Sequence, residues 1–284
     1  MAQQRIGRMQ WGDLAFGPGS RYHVTAIDGL DDTPDIRAED TERPGQHGDF
    51  TGPDFTGPRI IQLGLGLRAD TPDGLRDLTL ALRAATQPQR QPAPLQLLDQ
   101  NTLVYGKIRR RSIPYDAEYL WRTGTAALEL YCADPYLYSL EEHTATTTAY
   151  SPAAGRTYPL VPPRSYGAAG ESGRLSATNA GAAPAYPVLR VDGPVAGATI
   201  EQVNTGFSIT IDATLGAGEY LTIDTRNRAV LYMGTSPRRS WVRNGSQWPL
   251  LQPGTNTIAY RGSAVPGSPG QSSLLTVTWR DTSL

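Results

Sequence analysis

The chain has few of the residues that metal sites and catalytic sites are usually built from. Its 284 residues include one cysteine, so an intrachain disulfide framework is excluded. Cys132 lies at an inward position of an alternating apolar segment, which predicts a buried apolar thiol. The three histidines, His23, His47 and His143, have no cysteine or carboxylate at metal-ligand spacing. We therefore predict no catalytic residue, no cofactor and no metal site.

An excess of charge of either sign is also missing. The chain has 26 basic and 27 acidic residues, a formal net charge of -1. A nucleic-acid reader normally carries a basic stripe that offsets phosphate charge, and no such stripe is present here. No apolar run is long enough for a membrane-spanning helix, and the first ten residues lack an apolar signal core. We therefore expect neither nucleic-acid readout nor secretion nor membrane insertion.

Hydrolase motifs are absent as well. No serine lies in a G-x-S-x-G elbow. The carboxylate pairs at residues 31–32 and 141–142 are chain neighbours, whose side chains point to opposite sides of an extended chain instead of flanking one bond. Gly64-Leu-Gly66 resembles the start of a dinucleotide motif but lies inside an alternating strand pattern. These observations favour a protein that is not an enzyme.

Glycine and proline are plentiful, with 30 and 23 residues, as expected where turns join many short strands. The length fits two ordinary domains. After Ser139 the composition shifts to Thr, Ala, Ser, Gly and Pro. We predict an N-terminal domain over residues 1–140, a connector over 141–185 that packs with the second domain, and a C-terminal β-sandwich over 186–284.

The first domain is predicted to be α+β, a sheet or split barrel with one helix. Residues 59–68 place Ile61, Leu63, Leu65 and Leu67 on one strand face. Thr71 is placed as the N-cap of a helix with leucines along one side. The predicted elements are strands at 22–27, 59–68, 95–98, 102–107, 109–113 and 125–133, and a helix at 72–86.

Residues 28–59 of this domain show no apolar periodicity. Such a segment has too little apolar surface to offset its own ordering entropy, so we expect it to be disordered or held by a partner chain. The candidate residues for contact with another subunit in this segment are Asp28, Pro34, Phe50 and Phe55.

The strongest basic run is Arg109-Arg-Arg111. Strand alternation predicts that Arg109 and Arg111 share a face, which suits salt bridges to a neighbouring subunit better than a phosphate track. Trp241 and Trp248 lie near a loop-rich end of the second domain. Their rings could pack at the edge of the core or form a platform for a glycan.

The last hundred residues contain short β-branched strands separated by turns, typical of an antiparallel sandwich. Residues 219–224 and 228–232 are predicted to form a hairpin through residues 225–227. Six segments and Trp248 stand out along the whole chain. The segments are Gly57-Pro-Arg-Ile-Ile-Gln-Leu-Gly-Leu-Gly-Leu67, Asp134-Pro-Tyr-Leu-Tyr-Ser139, Asn179-Ala-Gly181, Pro187-Val-Leu-Arg-Val-Asp-Gly193, Gly216-Ala-Gly-Glu-Tyr-Leu-Thr-Ile-Asp-Thr225 and Pro253-Gly-Thr-Asn256.

In this order, the segments resemble the siphovirus distal tail protein family over nearly the whole chain. The resemblance implies an N-terminal domain that forms a homohexameric ring around a lumen through which DNA passes, and a galectin-like C-terminal sandwich. It implies that the long loop clasps the neighbouring subunit. The implied partners are the tail tube protein, the tail-tip hub or tail-associated lysin, and a receptor-binding protein. The implied location is the virion tail tip, after assembly in the host cytoplasm.

Two alternatives from other classes stay open. A carbohydrate-binding accessory tail module would use exposed aromatic side chains to hold host glycans. A tail-associated hydrolase would cleave host peptidoglycan, although no residues in the sequence support this second alternative.

Overall fold

The computed structural model describes residues 7–115, 122–150, 172–265 and 272–284. It divides into two compact units, residues 1–140 and 141–283. The protein is mainly β, with one α-helix in the described part. No helix among the described residues has the length and apolarity needed to span a bilayer.

The N-terminal unit is an antiparallel sheet in the order β2-β1-β9-β10-β11-β8-β3, with β12 pairing with β10. A separate two-stranded arm is inserted between β3 and β8. The elements are β1 (Met9–Trp11), β2 (Leu14–Phe16), β3 (Tyr22–Asp28), β4 (Ile36–Ala38), β5 (Thr41–Glu42), β6 (Asp49–Phe50), β7 (Asp54–Thr56), β8 (Arg59–Arg68), α1 (Pro72–Ala85), β9 (Ala93–Leu97), β10 (Thr102–Ser112), β11 (Thr123–Cys132) and β12 (Leu137–Ser139).

Strand β8 and helix α1 form the centre of this unit's core. The four alternating apolar residues of β8 are at most 2% exposed, which confirms the predicted strand face. Thr71 Oγ1 accepts a hydrogen bond from the Gly74 N–H at 3.0 Å, so the predicted N-cap is also confirmed. Two aromatic side chains hold the helix to the sheet: Trp11 Nε1 donates to the Ala85 carbonyl and the Tyr22 hydroxyl donates to the Leu78 carbonyl.

The prediction of two strands at 102–107 and 109–113 is wrong. The chain runs as the single strand β10, whose register against β11 shifts between Ile108 and Arg110. A β-bulge of this kind adds one residue to one strand and reverses the alternation of faces beyond it. The short strands β1 and β2 were not predicted, because three residues are too few to show a period.

Residues 28–59 are not a structureless loop. Strand β4 pairs with β7, and β5 pairs with β6 closer to the tip. Between the two ladders, residues 39–40 face residues 51–53, so the return strand carries one extra residue. Of the two alternatives, disorder is therefore wrong, because backbone pairing and glycine turns can order a hairpin that has no apolar stripe. Contact with a partner chain stays a prediction.

The C-terminal unit has two antiparallel sheets, in the orders β13-β22-β15-β18-β19-β20 and β14-β21-β16-β17. Its apolar core includes Leu189, Ile209, Leu221, Ile258 and Leu275. The strands are β13 (His143–Thr148), β14 (Arg174–Asn179), β15 (Val188–Asp192), β16 (Val195–Gln202), β17 (Phe207–Leu215), β18 (Tyr220–Asp224), β19 (Ala229–Tyr232), β20 (Ser236–Pro237), β21 (Gly254–Ser263), β22 (Leu274–Trp279) and β23 (Thr282–Ser283).

The predicted hairpin is confirmed, because β18 pairs with β19 and Leu221 and Ile223 point into the core. Two stretches of the segment predicted as a connector that packs with the second domain are strands. Strand β13 pairs with β22 and strand β14 pairs with β21, so both are parts of the sandwich. The proline-rich part of the predicted connector, Pro159–Pro163, lies outside the described residues.

Candidate assembly surface of the N-terminal unit

The hairpin formed by residues 35–57, here called the arm, exposes nearly all of its side chains. Every residue from 35 to 51 is exposed. Ile36 and Phe50 are each 57% exposed and Phe55 is 47% exposed. The guanidinium of Arg43 lies 4.8 Å from the centre of the Phe50 ring. The rest of that ring is exposed to solvent. Large apolar side chains that are held out on a hairpin in this way are typical of a contact with another chain.

The arm leaves the sheet from a fixed root, and a buried arginine holds this root. The Arg59 side chain is 2% exposed. Its Nη1 donates to the carbonyls of Gly29, Leu30 and Asp32 at 3.2, 2.5 and 2.7 Å. Its Nε donates to the Pro135 carbonyl at 2.9 Å. The Arg59 side chain therefore links the turn between β3 and the arm, residues 29–32, to the loop after β11.

This environment shifts the pKa of Arg59 in two opposite directions. Burial lowers the pKa of Arg59 from its ordinary value, while Cys132, Asp31 and Asp32 act in the opposite direction. Burial also raises the pKa of the Cys132 thiol to about 11, so this thiol is neutral at physiological pH, as the sequence predicted for a buried cysteine. The positive charge of Arg59 is thus balanced mainly by carbonyl dipoles and by two exposed carboxylates.

The sequence interpretation missed Arg59, although the sequence contains a signal. Arg59 has the same strand parity as Ile61 and Leu63, so it is a charged residue at an inward position. Such a residue must find hydrogen-bond partners inside the protein. Pro34, predicted as a subunit contact, is buried within its own unit, which leaves it little surface for another chain. Asp28 is exposed at the end of β3.

The face of β3, β8, β11 and the second half of β10 that points away from the core is here called the outer face. Small residues lie next to each other on three strands: Gly64 is opposite Ala127 on one side and Ala26 on the other. They form the floor of a shallow trough of about 310 Å³, and Asp28, Arg110 and Glu129 are among its walls. The outer face therefore has small residues at its centre and charges of both signs around them.

The same four-stranded part of the sheet has an open edge on each side. Among the described residues, β3 pairs only with β8. Strand β9 pairs with β10 only as far as Gly106, so in the described part of the unit residues 107–112 of β10 pair only with β11. Open edges present unpaired N–H and carbonyl groups that can bind a strand of another chain.

The predicted placement of Arg109 and Arg111 on one face is wrong because of the bulge in β10. Arg111 points to the helix, where its Nη1 donates to the Arg83 carbonyl at 2.9 Å and to Thr86 Oγ1 at 2.6 Å. The guanidinium of Arg109 lies 3.3 Å from the centre of the Tyr131 ring, on the outer face. Arg111 thus stabilises the C-terminal end of α1, whereas Arg109 stays available on the surface.

Trp241 and Trp248 of the C-terminal unit pack against the core of the sandwich. Both are partly buried there. The ring of Trp241 makes an edge contact with Tyr232, with 5.5 Å between the ring centres. The guanidinium of Arg239 lies 4.3 Å from the centre of the Trp248 ring. This arrangement favours the packing interpretation over an open platform for a glycan.

Within the described ranges, no group of three or more His, Cys, Asp or Glu side chains is placed to hold a metal ion. His143 Nε2 lies 3.2 Å from Asp281 Oδ2 in the sandwich. The features that stand out as a candidate site are therefore the arm, its root, the outer face and the two open edges.

Residues 180–281 match the family of siphovirus-type tail component C-terminal domains. The structure matches the crystal structure of SPP1 Dit, which is described as a paradigm of the hub adsorption apparatus in phages infecting Gram-positive bacteria. This match has a TM-score of 0.63 and 15% sequence identity, and it covers 91% of this chain and 93% of that chain. No curated protein matches the chain.

A chain of the phage P2 baseplate, in its activated conformation with Ca, also matches. The TM-score is 0.51 at 11% identity, with 95% of this chain and 96% of that chain covered. The same baseplate with Sr gives 0.52, again at 11% identity and with the same two coverages.

The fold is therefore similar to that of siphophage distal tail and baseplate proteins over most of the chain. Residues 180–281 in addition match the siphovirus-type tail component family, so both comparisons point to a siphovirus distal tail protein.

Proposed function

We propose that the protein forms a homohexameric ring that joins the tail tube to the tail-tip hub. The observation that carries this proposal is the pair of open edges on opposite sides of one sheet. If β3 of one copy lies beside residues 107–112 of β10 in the next copy, every copy uses two different edges. A contact of this head-to-tail kind either closes into a ring or continues as a filament. The number six comes from the family resemblance.

In such a ring the arm clasps the neighbouring subunit. Ile36, Phe50 and Phe55 bury little surface within their own copy, so a neighbour can cover them at no cost to the fold. The fixed root at Arg59 supports this role, because it limits the orientations that the arm must lose on binding.

The outer face suits the wall of a lumen through which DNA passes. Its centre carries small residues, and its charges are mixed, with Asp28 and Glu129 near Arg110. A wall with charges of both signs holds phosphates less strongly than a continuous basic stripe would. Binding of DNA is therefore not part of this function.

The C-terminal sandwich, galectin-like in the family, is proposed to hang outside the ring. The proposed partners of the assembly are the tail tube protein on one face and the hub or tail-associated lysin on the other, with a receptor-binding protein beyond. Assembly takes place in the host cytoplasm. No enzymatic activity is proposed.

Native mass spectrometry and class-averaged micrographs of the purified full chain test the ring. We expect a species of six copies with sixfold averages around an open centre. A chain that stays monomeric at tens of micromolar would contradict the proposal. A glycan array provides a separate control, because a scaffold of this kind should show no saturable sugar binding.

A further inference from the structure

The arm is strongly acidic, and its carboxylates form no ion pair within the described residues. Residues 35–57 contain six carboxylates and two arginines, a net charge of -4 with His47 neutral. Glu42 and Asp49 lie directly opposite each other in the outer ladder. Like charges in that position destabilise a hairpin unless a cation lies near them. In the described part of the chain, no ion pair includes an arm carboxylate.

A complementary surface lies on the open edge of β10. Lys107, Arg109 and Arg110, here called the basic edge, are three cations within four positions. Lys107 Nζ donates to the Arg90 carbonyl at 2.5 Å, and Arg109 stacks on Tyr131. Arg110 is exposed opposite Glu129 in register. Among the ion pairs of the described residues, none includes any of these three cations.

The topology puts the arm and the basic edge at the same end of the sheet but on opposite edges. Asp28, from which the arm departs, is in register with Gln62, Gln62 with Glu129, and Glu129 with Arg110. Three strand spacings, roughly 14 Å, separate β3 from β10 within one copy. When β3 of one copy lies beside β10 of the next, the arm root of the first copy comes next to the basic edge of the second, at the same level.

We propose that the arm of each copy docks on the basic edge of the next copy, with arm carboxylates such as Glu42 and Asp49 paired with Lys107, Arg109 and Arg110. This inference rests on the head-to-tail ring proposed above and names the surface that receives the arm. The occupant is a second copy of this chain, because both halves of the charge pattern are on one chain and only an assembly brings them together.

Reversal of the charges on each side tests the pairing. The first variant is Glu42→Arg with Asp49→Arg, and the second is Arg109→Glu with Arg110→Glu. All four side chains are exposed, so each variant should stay folded. Arg110→Glu puts a carboxylate opposite Glu129, so its variant should have a slightly lower urea midpoint, and ring formation is compared under conditions where both variants are fully folded. Each should raise the concentration at which half of the protein is in rings at least tenfold, because like charges then meet. The matched control reverses Arg76 and Asp77 on the exposed side of α1 and should change nothing.

A mixture of the two variants is the decisive measurement. In an alternating ring of the two, the reversed arm of one meets the reversed edge of the other, and the natural arm meets the natural edge. Mixing should therefore restore rings to within about threefold of the parent at the same total concentration. A chain that carries both pairs of reversals should form rings on its own.

The outcomes separate the two proposals. If the parent forms no ring, the proposed function fails and the pairing fails with it. If the parent forms rings but either variant alone is unaffected, the ring stands and the pairing is overturned. If the chain with both reversals recovers while the mixture does not, the arm binds its own copy, which also overturns docking between copies.

Discussion

Replacement of Arg59 by methionine should destabilise the N-terminal unit by about 2 to 3 kcal/mol, because it leaves one buried carbonyl and three partly buried carbonyls without their donor. Methionine fills a similar volume but donates no hydrogen bond. The bond to the Leu30 carbonyl is fully buried, and an unsatisfied buried group costs about 1 to 3 kcal/mol. The bonds to Gly29, Asp32 and Pro135 are only partly buried, so in the variant water can donate to some of these carbonyls in place of the arginine.

Two further variants set the scale of this effect. Arg59→Lys keeps a positive charge with three donors but lacks the planar guanidinium group. It should lower the free energy of unfolding by about half as much as Arg59→Met does. Arg68→Met, at the exposed far end of the same strand, should stay within about 0.5 kcal/mol of the parent.

The assay is urea unfolding of the full chain, with hydrogen exchange used to follow amides of the N-terminal unit separately. The first protection to be lost in the Arg59→Met chain should be that of the arm root, residues 29–32. If the Arg59 and Arg68 variants gave the same midpoint, the arginine would have no role in holding the root, and the reasoning from its four hydrogen bonds would be refuted.

Three further predictions concern the core, the thiol and the arm. Leu82→Ala should lower the free energy of unfolding in urea by about 2 to 5 kcal/mol, because Leu82 is fully buried. Leu80→Ala, at a position that is 51% exposed, should lower it by less than about 1 kcal/mol. Equal losses would contradict the orientation of the helix. Cys132, whose pKa is raised to about 11, should stay unmodified by a thiol reagent at pH 8 and react only in denaturant, and rapid labelling of the folded chain would contradict its burial. Replacement of residues 34–55 by a short Gly and Ser linker should leave both units folded in circular dichroism and weaken the ring in sedimentation; a variant that stays hexameric at low micromolar concentration would assign the arm another role.

The elements whose sequence has a regular apolar spacing could be predicted. Strand β8 alternates apolar residues over ten positions, and α1 has a capping threonine and a leucine stripe, so each pattern has one structural solution. The hairpin of β18 and β19 was also predictable, because its strands flank a turn and alternate cleanly.

The faces of β10 could not be predicted from alternation. One extra residue between Ile108 and Arg110 reverses the parity that places Arg111 beside Arg109, and nothing in the run of arginines shows where the extra residue lies. Strands β13 and β14 were missed for a different reason. Their threonine, alanine and serine content resembles a connector, and only pairing with β22 and β21 makes them part of the sandwich.

The order of the arm could not be predicted from its small apolar surface. Its composition predicts too little burial for order within one copy, and its exposed side chains agree with that estimate. Its backbone is nevertheless paired, with Gly52 packed so close to Glu39 that a Cβ at this position would lie 2.0 Å from the Glu39 carbonyl oxygen. The order of the arm thus comes from main-chain pairing, and its side chains are left for a partner.

The two open edges of the sheet carry features that would limit association in the proposed assembly. Both edge strands carry a register shift, between Val24 and Ala26 in β3 and between Ile108 and Arg110 in β10. A bulge interrupts the row of free backbone groups and increases the local twist, which disfavours pairing with an arbitrary flat strand. The charges of the basic edge add a cost for any partner that brings no carboxylates. In the proposed ring, an edge that is bulged and basic on one side of the sheet, with an acidic arm rooted at the other, would therefore select a second copy of this chain over an arbitrary strand.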